Sequence, residues 1–188
     1  MDTNTGTKKT EPGRRTDLEW SLRAAEPADV EAIAELRAVV MRPDLERLGR
    51  YDAHRVRQRL RDGFRPEHTS VVLVAGAFAG SAALHPSEDG HWLEHFYLAP
   101  AVQGRGLGSA VLRTLLSGTD ATGTAVRLNV LRGSPARRLY ERHGFTVETQ
   151  DPTDVFMLRT PRPGRLPSTN PRPSLRPVGG KPPAEPGS

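Results

Sequence analysis

Cysteine is absent from the 188 residues, which excludes disulfides, cysteine-ligated metals and acyl transfer through a cysteine thiol. Aromatic residues make up only 5% of the chain. No apolar run approaches the roughly 20 residues of a membrane span, so no membrane partner is expected. The first 16 residues lack an apolar h-region, and no signal peptide is expected there. The histidines, His54, His68, His85, His91, His95 and His143, show no metal-ligand spacing, so no metal is expected either. A soluble, cytoplasmic protein is the expectation.

What the chain does have is charge, proline and glycine. It carries 27 Lys and Arg against 22 Asp and Glu. Residues 1–16 hold four basic and two acidic side chains, and residues 161–188 hold five and one, which leaves 18 basic and 19 acidic between them. The positive excess therefore lies in the ends. Both ends are polar or rich in Pro, Gly, Ser and Arg, with little to bury, and read as disordered tails at 1–16 and 161–188. Such tails attract polyanions weakly, but no recognition motif accompanies them, so no specific nucleic-acid partner is expected. One domain is expected over 17–160.

Within that domain, strands and helices alternate. The pattern predicts a strand at 18–23, helices at 27–40 and 52–61, and strands at 70–75 and 78–84 joined by a turn at Gly76. A strand at 93–98 then meets Ala99-Pro100 and the run Gln103-Gly104-Arg105-Gly106-Leu107-Gly108, which opens a helix with Val111, Leu112, Leu115 and Leu116 on one face. The first N–H groups of a helix lack intrahelical partners and its N-terminus is partly positive. Glycines let a phosphate approach those groups, so a diphosphate ligand is expected here. Gly104-x-Gly106-x-Gly108 does not have the Rossmann spacing, and no Walker ending follows.

A second segment follows. The strand Leu128-Asn129-Val130-Leu131 leads to Ser134 as a helix cap, Pro135 at the first helical position, and a helix ending at Gly144-Phe145. Strands at 146–149 and 155–158 complete the pattern as an antiparallel pair. Together the two segments closely resemble the GNAT superfamily of acetyl-CoA-dependent N-acetyltransferases. The family's Gln/Arg-x-x-Gly-x-Gly/Ala signature falls on Gln103, Gly106 and Gly108. Its Ala-x-x-Leu-Tyr-x-x-x-Gly-Phe helix falls on Ala136, Leu139, Tyr140, Gly144 and Phe145. The resemblance covers roughly residues 17 to 160 and departs at Gly133-Ser134, where many members carry an asparagine.

The resemblance implies an α/β fold with a central, twisted, mostly antiparallel sheet, flanked by helices and splayed between the strands of Leu98 and Leu128. It implies acetyl-CoA as cosubstrate. Backbone at Leu98 would meet the pantetheine arm, and N–H groups of Gln103, Gly104, Arg105, Gly106, Leu107, Gly108 and Ser109 would hold the pyrophosphate. Arg105 would add charge there, and Asn129 and Ser134 stand as further cofactor contacts. Tyr140 is at the family's position beside the thioester sulfur, where a phenol can protonate the departing thiolate. Leu93-Glu94-His95-Phe96-Tyr97-Leu98 resembles the Leu-Glu-Asp-x-x-Val strand of the diamine acetyltransferase branch, which makes Glu94 the candidate base. Strand alternation sets Glu94 and His95 on opposite faces, and His95 and His91 read as surface or satisfied polar groups.

The expected activity is acetyl transfer to a primary amine by direct attack in a ternary complex. The acceptor is a small-molecule or protein amine, met by the first two helices, their loop and the hairpin around Pro86 to Gly90. Mixed charge there, from Asp44, Glu46 and Asp52 to Arg42, Arg47 and Arg55, selects no acceptor class. A catalytically silent acetyl-CoA sensor is the alternative from another class, and a homodimer is left open as the assembly.

Overall fold

A computed structural model of the chain describes residues 16–161. The tail readings at 1–15 and 162–188 lie outside the described residues. The described residues open with strand β1 (Trp20–Ala24), a 3-10 turn at Pro27–Asp29, and helices α1 (Val30–Arg47) and α2 (Ala53–Gly63). Strands β2 (Thr69–Val74), β3 (Ala77–Ser87) and β4 (Gly90–Leu98) follow as a meander. Helix α3 (Leu107–Ala121), strand β5 (Val126–Leu131), helix α4 (Ala136–Arg142) and strands β6 (Thr146–Gln150) and β7 (Asp154–Arg159) complete it.

The strands form one seven-stranded sheet in the order β1-β2-β3-β4-β5-β7-β6. All neighbours are antiparallel except β4 and β5. Successive strand residues point to opposite faces, and Val71 and Val72 are both fully buried, so helices cover both sides. Ile33, Ala34 and Leu60, from α1 and α2, pack together with Tyr97 against them. Leu107 and Val111 of α3 pack with Val72, Phe96 and Leu98. Leu112, Tyr140 and Phe145 join Leu93, Leu128 and Met157 in the largest cluster. Each such fully buried aliphatic contributes about 1.5–3 kcal/mol by leaving water.

Helix α1 departs from the pattern read in the sequence. The expectation ends it at Val40, shortly before Pro43, whereas it continues through that proline to Arg47. Proline removes one ladder hydrogen bond. Side-chain ties hold the extra turn: Arg42 Nε to Glu46 Oε1 at 2.7 Å and Arg47 Nη2 to Asp44 Oδ1 at 3.0 Å. Arg47 also donates to the Arg132 carbonyl in the turn before α4, which anchors the end of α1 across the sheet.

Candidate active site

Parallel pairing between β4 and β5 is confined to His91 with Val126 and Trp92 with Arg127. Beyond these, β4 runs on to Leu98 while β5 pairs on its other side with β7 as far as Leu131. The strands therefore diverge, and backbone that would close a ladder faces a cavity of about 1130 Å³. Leu93 to Leu98 form one wall, the start of α3 and parts of α4 another, and α1 closes the remaining side.

The glycine turn lies at the mouth of this gap. A 3-10 turn at Pro100–Val102 brings Gln103 back toward β4, where its side-chain amide donates to the Leu98 carbonyl at 2.7 Å. Gly106 caps α3 at φ +80°, a left-handed conformation that side chains other than glycine adopt at a cost. No side chain caps this helix, so its first-turn N–H groups remain available to an anion. Gln103, Gly104, Gly106, Gly108 and Ser109 all line the cavity. A Cβ on Gly108 would stand 3.3 Å from Leu139 and 3.5 Å from Leu98, so this glycine also sets how closely α3 approaches α4 and β4. Arg105 is exposed and outside the cavity lining, and the Leu107 side chain is fully buried in the core. Only the Leu107 backbone is left for a ligand.

Tyr140 lines the cavity from α4 and packs edge-on against Phe145, with ring centroids 5.8 Å apart. Burial, then the neighbouring Tyr97, pushes its hydroxyl well above the usual phenol range. Burial likewise pushes Tyr97 up to about 12. Both phenols therefore keep their protons at any working pH and act as donors.

Glu94 and His95 correct the expectation of opposite faces. Ser81 pairs with Tyr97 and Ala83 with Glu94, so His95 and Phe96 together oppose one residue of β3. This is a β-bulge, with His95 at φ +51° and its carbonyl held by the Ser81 hydroxyl at 2.8 Å. The bulge breaks the two-residue period, and both side chains reach the same cavity. Glu94 Oε1 lies 3.5 Å from His95 Nε2 and 3.5 Å from His85 Nε2. His95 is thus no isolated surface group. Its side chain is only 10% exposed, its Nε2 is buried without a hydrogen bond among the described residues, and its Nδ1 is 3.4 Å from the Tyr97 hydroxyl. Burial lowers its pKa, Glu94 opposes that shift, and Arg37 and His85 add to it. The neutral imidazole is favoured.

Asn129 faces the cavity from β5 and donates to Asp154 of β7 at 2.8 Å. Ser134 also lines it, its hydroxyl accepting a long 3.4 Å bond from the Ala136 amide, while Pro135 takes the cap position. The remaining side meets the expected acceptor region only in α1 and its Asp44. It consists of Arg37, Val40, Met41 and Asp44 of α1, with no contribution from α2 or the Pro86–Gly90 hairpin. Asp52 instead caps α2, accepting from the Arg55 amide at 2.8 Å. Arg113 of α3, Arg142 at the end of α4 and His143 just beyond it also line the cavity. Apart from Asp44, these lining residues escaped the sequence because helix periodicity marks a core face, not which turn of a helix closes over a gap elsewhere. Among the described residues, no group of three or more His, Cys, Asp or Glu could hold a metal ion, and no helix is long and apolar enough to cross a membrane.

Residues 66–147 match the family model of the acetyltransferase (GNAT) domain. That match spans less than half of the chain and assigns this segment to the GNAT acetyltransferase domain. The matched domain is of the acetyltransferase type. The matched segment runs from just before β2 into β6 and leaves out α1, the wall specific to the far side of the cavity. Solved structures share the fold. PaiA N-acetyltransferase from Thermoplasma acidophilum, in complex with coenzyme A, superposes with a TM-score of 0.63 at 19% identity, over 76% of this chain and 99% of that one. The ribosomal-protein-S18-alanine N-acetyltransferase from Escherichia coli gives 0.58 at 18% identity, over 79% and 98%. An N-acetyltransferase from Staphylococcus aureus Mu50 gives 0.57 at 19%, over 73% and 98%. No curated protein matches the chain.

Proposed function

We propose that this protein moves an acetyl group from acetyl-CoA to a primary amine by direct attack within a ternary complex. The observation that carries the reading is the splayed β4–β5 gap, which joins the glycine turn at one end to Tyr140 and Glu94 at the other within one cavity. The residues fit the cosubstrate. First-turn N–H groups of α3 suit the pyrophosphate, with Gln103, Gly104, Gly106, Gly108 and Ser109 around it. Backbone of β4 that β5 leaves unpaired beyond Trp92 suits the pantetheine amides, with the Leu98 carbonyl held by the Gln103 side chain, and Asn129 and Ser134 flank the arm. When bound, acetyl-CoA supplies the thioester carbon that the amine attacks.

An amine is mostly protonated near neutral pH and must lose a proton before it can attack. Glu94 attracts the ammonium and accepts that proton, directly or through water. The new C–N bond forms at the acetyl carbon, and the C–S bond breaks as the tetrahedral intermediate collapses. Tyr140 gives its proton to the leaving sulfur and is restored by the proton released from the nitrogen. Burial of its hydroxyl keeps it in the donating form. The domain is assigned to 17–160 on the same sequence grounds as above.

The test is a panel of amines with acetyl-CoA, following release of free CoA thiol. The protein contains no cysteine, so the thiol signal comes from the product alone. Acetyl-CoA should also raise the melting temperature, on the order of 2.7 kcal/mol of added stability at a hundredfold excess over Kd. Stabilisation without thiol release from any amine, small or protein, would instead identify a silent acetyl-CoA-binding module.

A further inference from the structure

Arg37 stands on the α1 wall of the cavity, its guanidinium carbon 5.9 Å from the centre of the Tyr97 ring. Its buried Nε has no hydrogen-bond partner among the described residues. Four other arginines of the first two helices pair with carboxylates: Arg42 with Glu46 at 2.7 Å, Arg47 with Asp44 at 3.0 Å, Arg57 with Glu35 at 2.6 Å and Arg61 with Glu31 at 2.8 Å. The carboxylates of the cavity have their own contacts. Asp44 is held by Arg47, Asp154 receives the Asn129 amide, and Glu94 sits between His85 and His95. The guanidinium acts on Tyr97 by charge and by a side-chain hydrogen bond, no carboxylate pairs with it among the described residues, and its buried Nε–H without an acceptor is costly.

The position of this cation is specific. Arg113 and Arg142 line the cavity from α3 and α4, the helices around the glycine turn, whereas Arg37 lies across from them on α1. It adjoins the His95–Tyr97 pair, whose other neighbour is Glu94, and its charge and that of Glu94 act on His95 in opposite directions. A donor of negative charge and a donor of positive charge thus flank the same two side chains.

We infer that Arg37 and Glu94 form the two ends of a zwitterion site, so that the acceptor is a small amino acid whose carboxylate meets Arg37 and whose amine meets Glu94. This rests on the acetyl-transfer reading above and adds the acceptor class to it. A guanidinium matches a carboxylate in a planar, two-pronged geometry that neither an amide nor an ester reproduces. A peptide N-terminus carries a neutral amide where a free amino acid carries the carboxylate, and so leaves the Arg37 donors short.

The experiment compares kcat/KM for α-, β- and γ-amino acids, their carboxamides, the matching plain amines and short peptides, by CoA thiol release. The wild type should favour carboxylate-bearing acceptors by roughly 10- to 100-fold, as for one charge-assisted hydrogen-bonded contact. Arg37→Gln should bring the amino acid to carboxamide ratio close to one, and Arg37→Lys should keep part of it. Retained stabilisation by acetyl-CoA verifies that each variant is folded. Equal or better turnover of carboxamides, plain amines or peptides by the wild type overturns the inference, and so does an unchanged ratio in Arg37→Gln. If acetyl-CoA stabilises the protein but no amino acid reacts, the zwitterion site alone falls. If acetyl-CoA does not stabilise it, the transferase reading falls.

Discussion

Arg159 and Asp120 are joined by a two-pronged ion pair, Nη1 to Oδ1 and Nη2 to Oδ2, each at 2.7 Å. Arg159 also donates through Nε to the His143 carbonyl at 2.9 Å, so one side chain ties the end of β7 to the ends of α3 and α4. The two partners differ in exposure: the Arg159 side chain is 8% exposed and that of Asp120 38%. Asp120→Ala leaves a buried cation without its carboxylate and should cost about 2–3 kcal/mol, below the range for fully buried pairs because Asp120 meets solvent. Arg159→Met leaves a carboxylate that water can reach and should cost less. Chemical denaturation of the two single variants and the double variant measures this, and a larger loss for Arg159→Met would reverse the assignment.

Gly106 tests the cosubstrate site. At φ +80° it caps α3 beside the cavity. Gly106→Asp would add backbone strain and set a negative charge where the pyrophosphate is expected. The variant should stay folded yet lose its thermal stabilisation by acetyl-CoA, as read by differential scanning fluorimetry with and without ligand. Undiminished stabilisation would move the pyrophosphate away from this turn.

Tyr140→Phe removes one hydroxyl and keeps the ring that packs on Phe145 and Phe96. Turnover should fall by the general-acid factor of roughly 10²–10⁴, while acetyl-CoA affinity changes little. Glu94→Gln should slow the reaction most at low pH, where the amine is hardest to deprotonate. Pre-steady-state rates on one established acceptor separate the two roles. Wild-type turnover by Tyr140→Phe removes the tyrosine from the mechanism.

Acid should weaken the fold in two stages. Burial, the largest cause in each, holds His95 and His143 below their ordinary value of 6.5. A group whose pKa is depressed in the fold binds its proton more readily when unfolded. The stability that these two histidines give is therefore complete above pH 6.5 and is lost as pH falls through their lower folded values. A second loss follows at more acidic pH from carboxyls held below their usual range: Asp29 by hydrogen bonds from Arg23, Asp52 by the Arg55 amide, and Asp151 by the amides of Asp154 and Thr153. Urea titrations from pH 8 to pH 3 follow both stages. His143→Gln should shrink the first one, and an unaltered pH profile in that variant would exclude His143 as a contributor.

The sequence by itself determined the order of strands and helices, the glycine turn and the Tyr140 helix, because these depend on local periods, breakers and caps. Gly106 and Gly108 were legible since a backbone that must turn left-handed or pack closely selects glycine within a few residues of chain. The tertiary structure alone decided which groups meet. The bulge at His95 replaces strand alternation with a shared face, and it depends on a two-to-one pairing with β3 and on Ser81, far away in the chain. Helix α1 passes Pro43 with its end tied to the Arg132 carbonyl, 85 residues on, and its packing on Leu60 and Tyr97 helps set Arg37, Val40 and Met41 over the cavity. Local patterns carry the cost of each element's own backbone. Contacts between residues distant in sequence, which set the faces and ends of those elements, form only when the sheet brings them together.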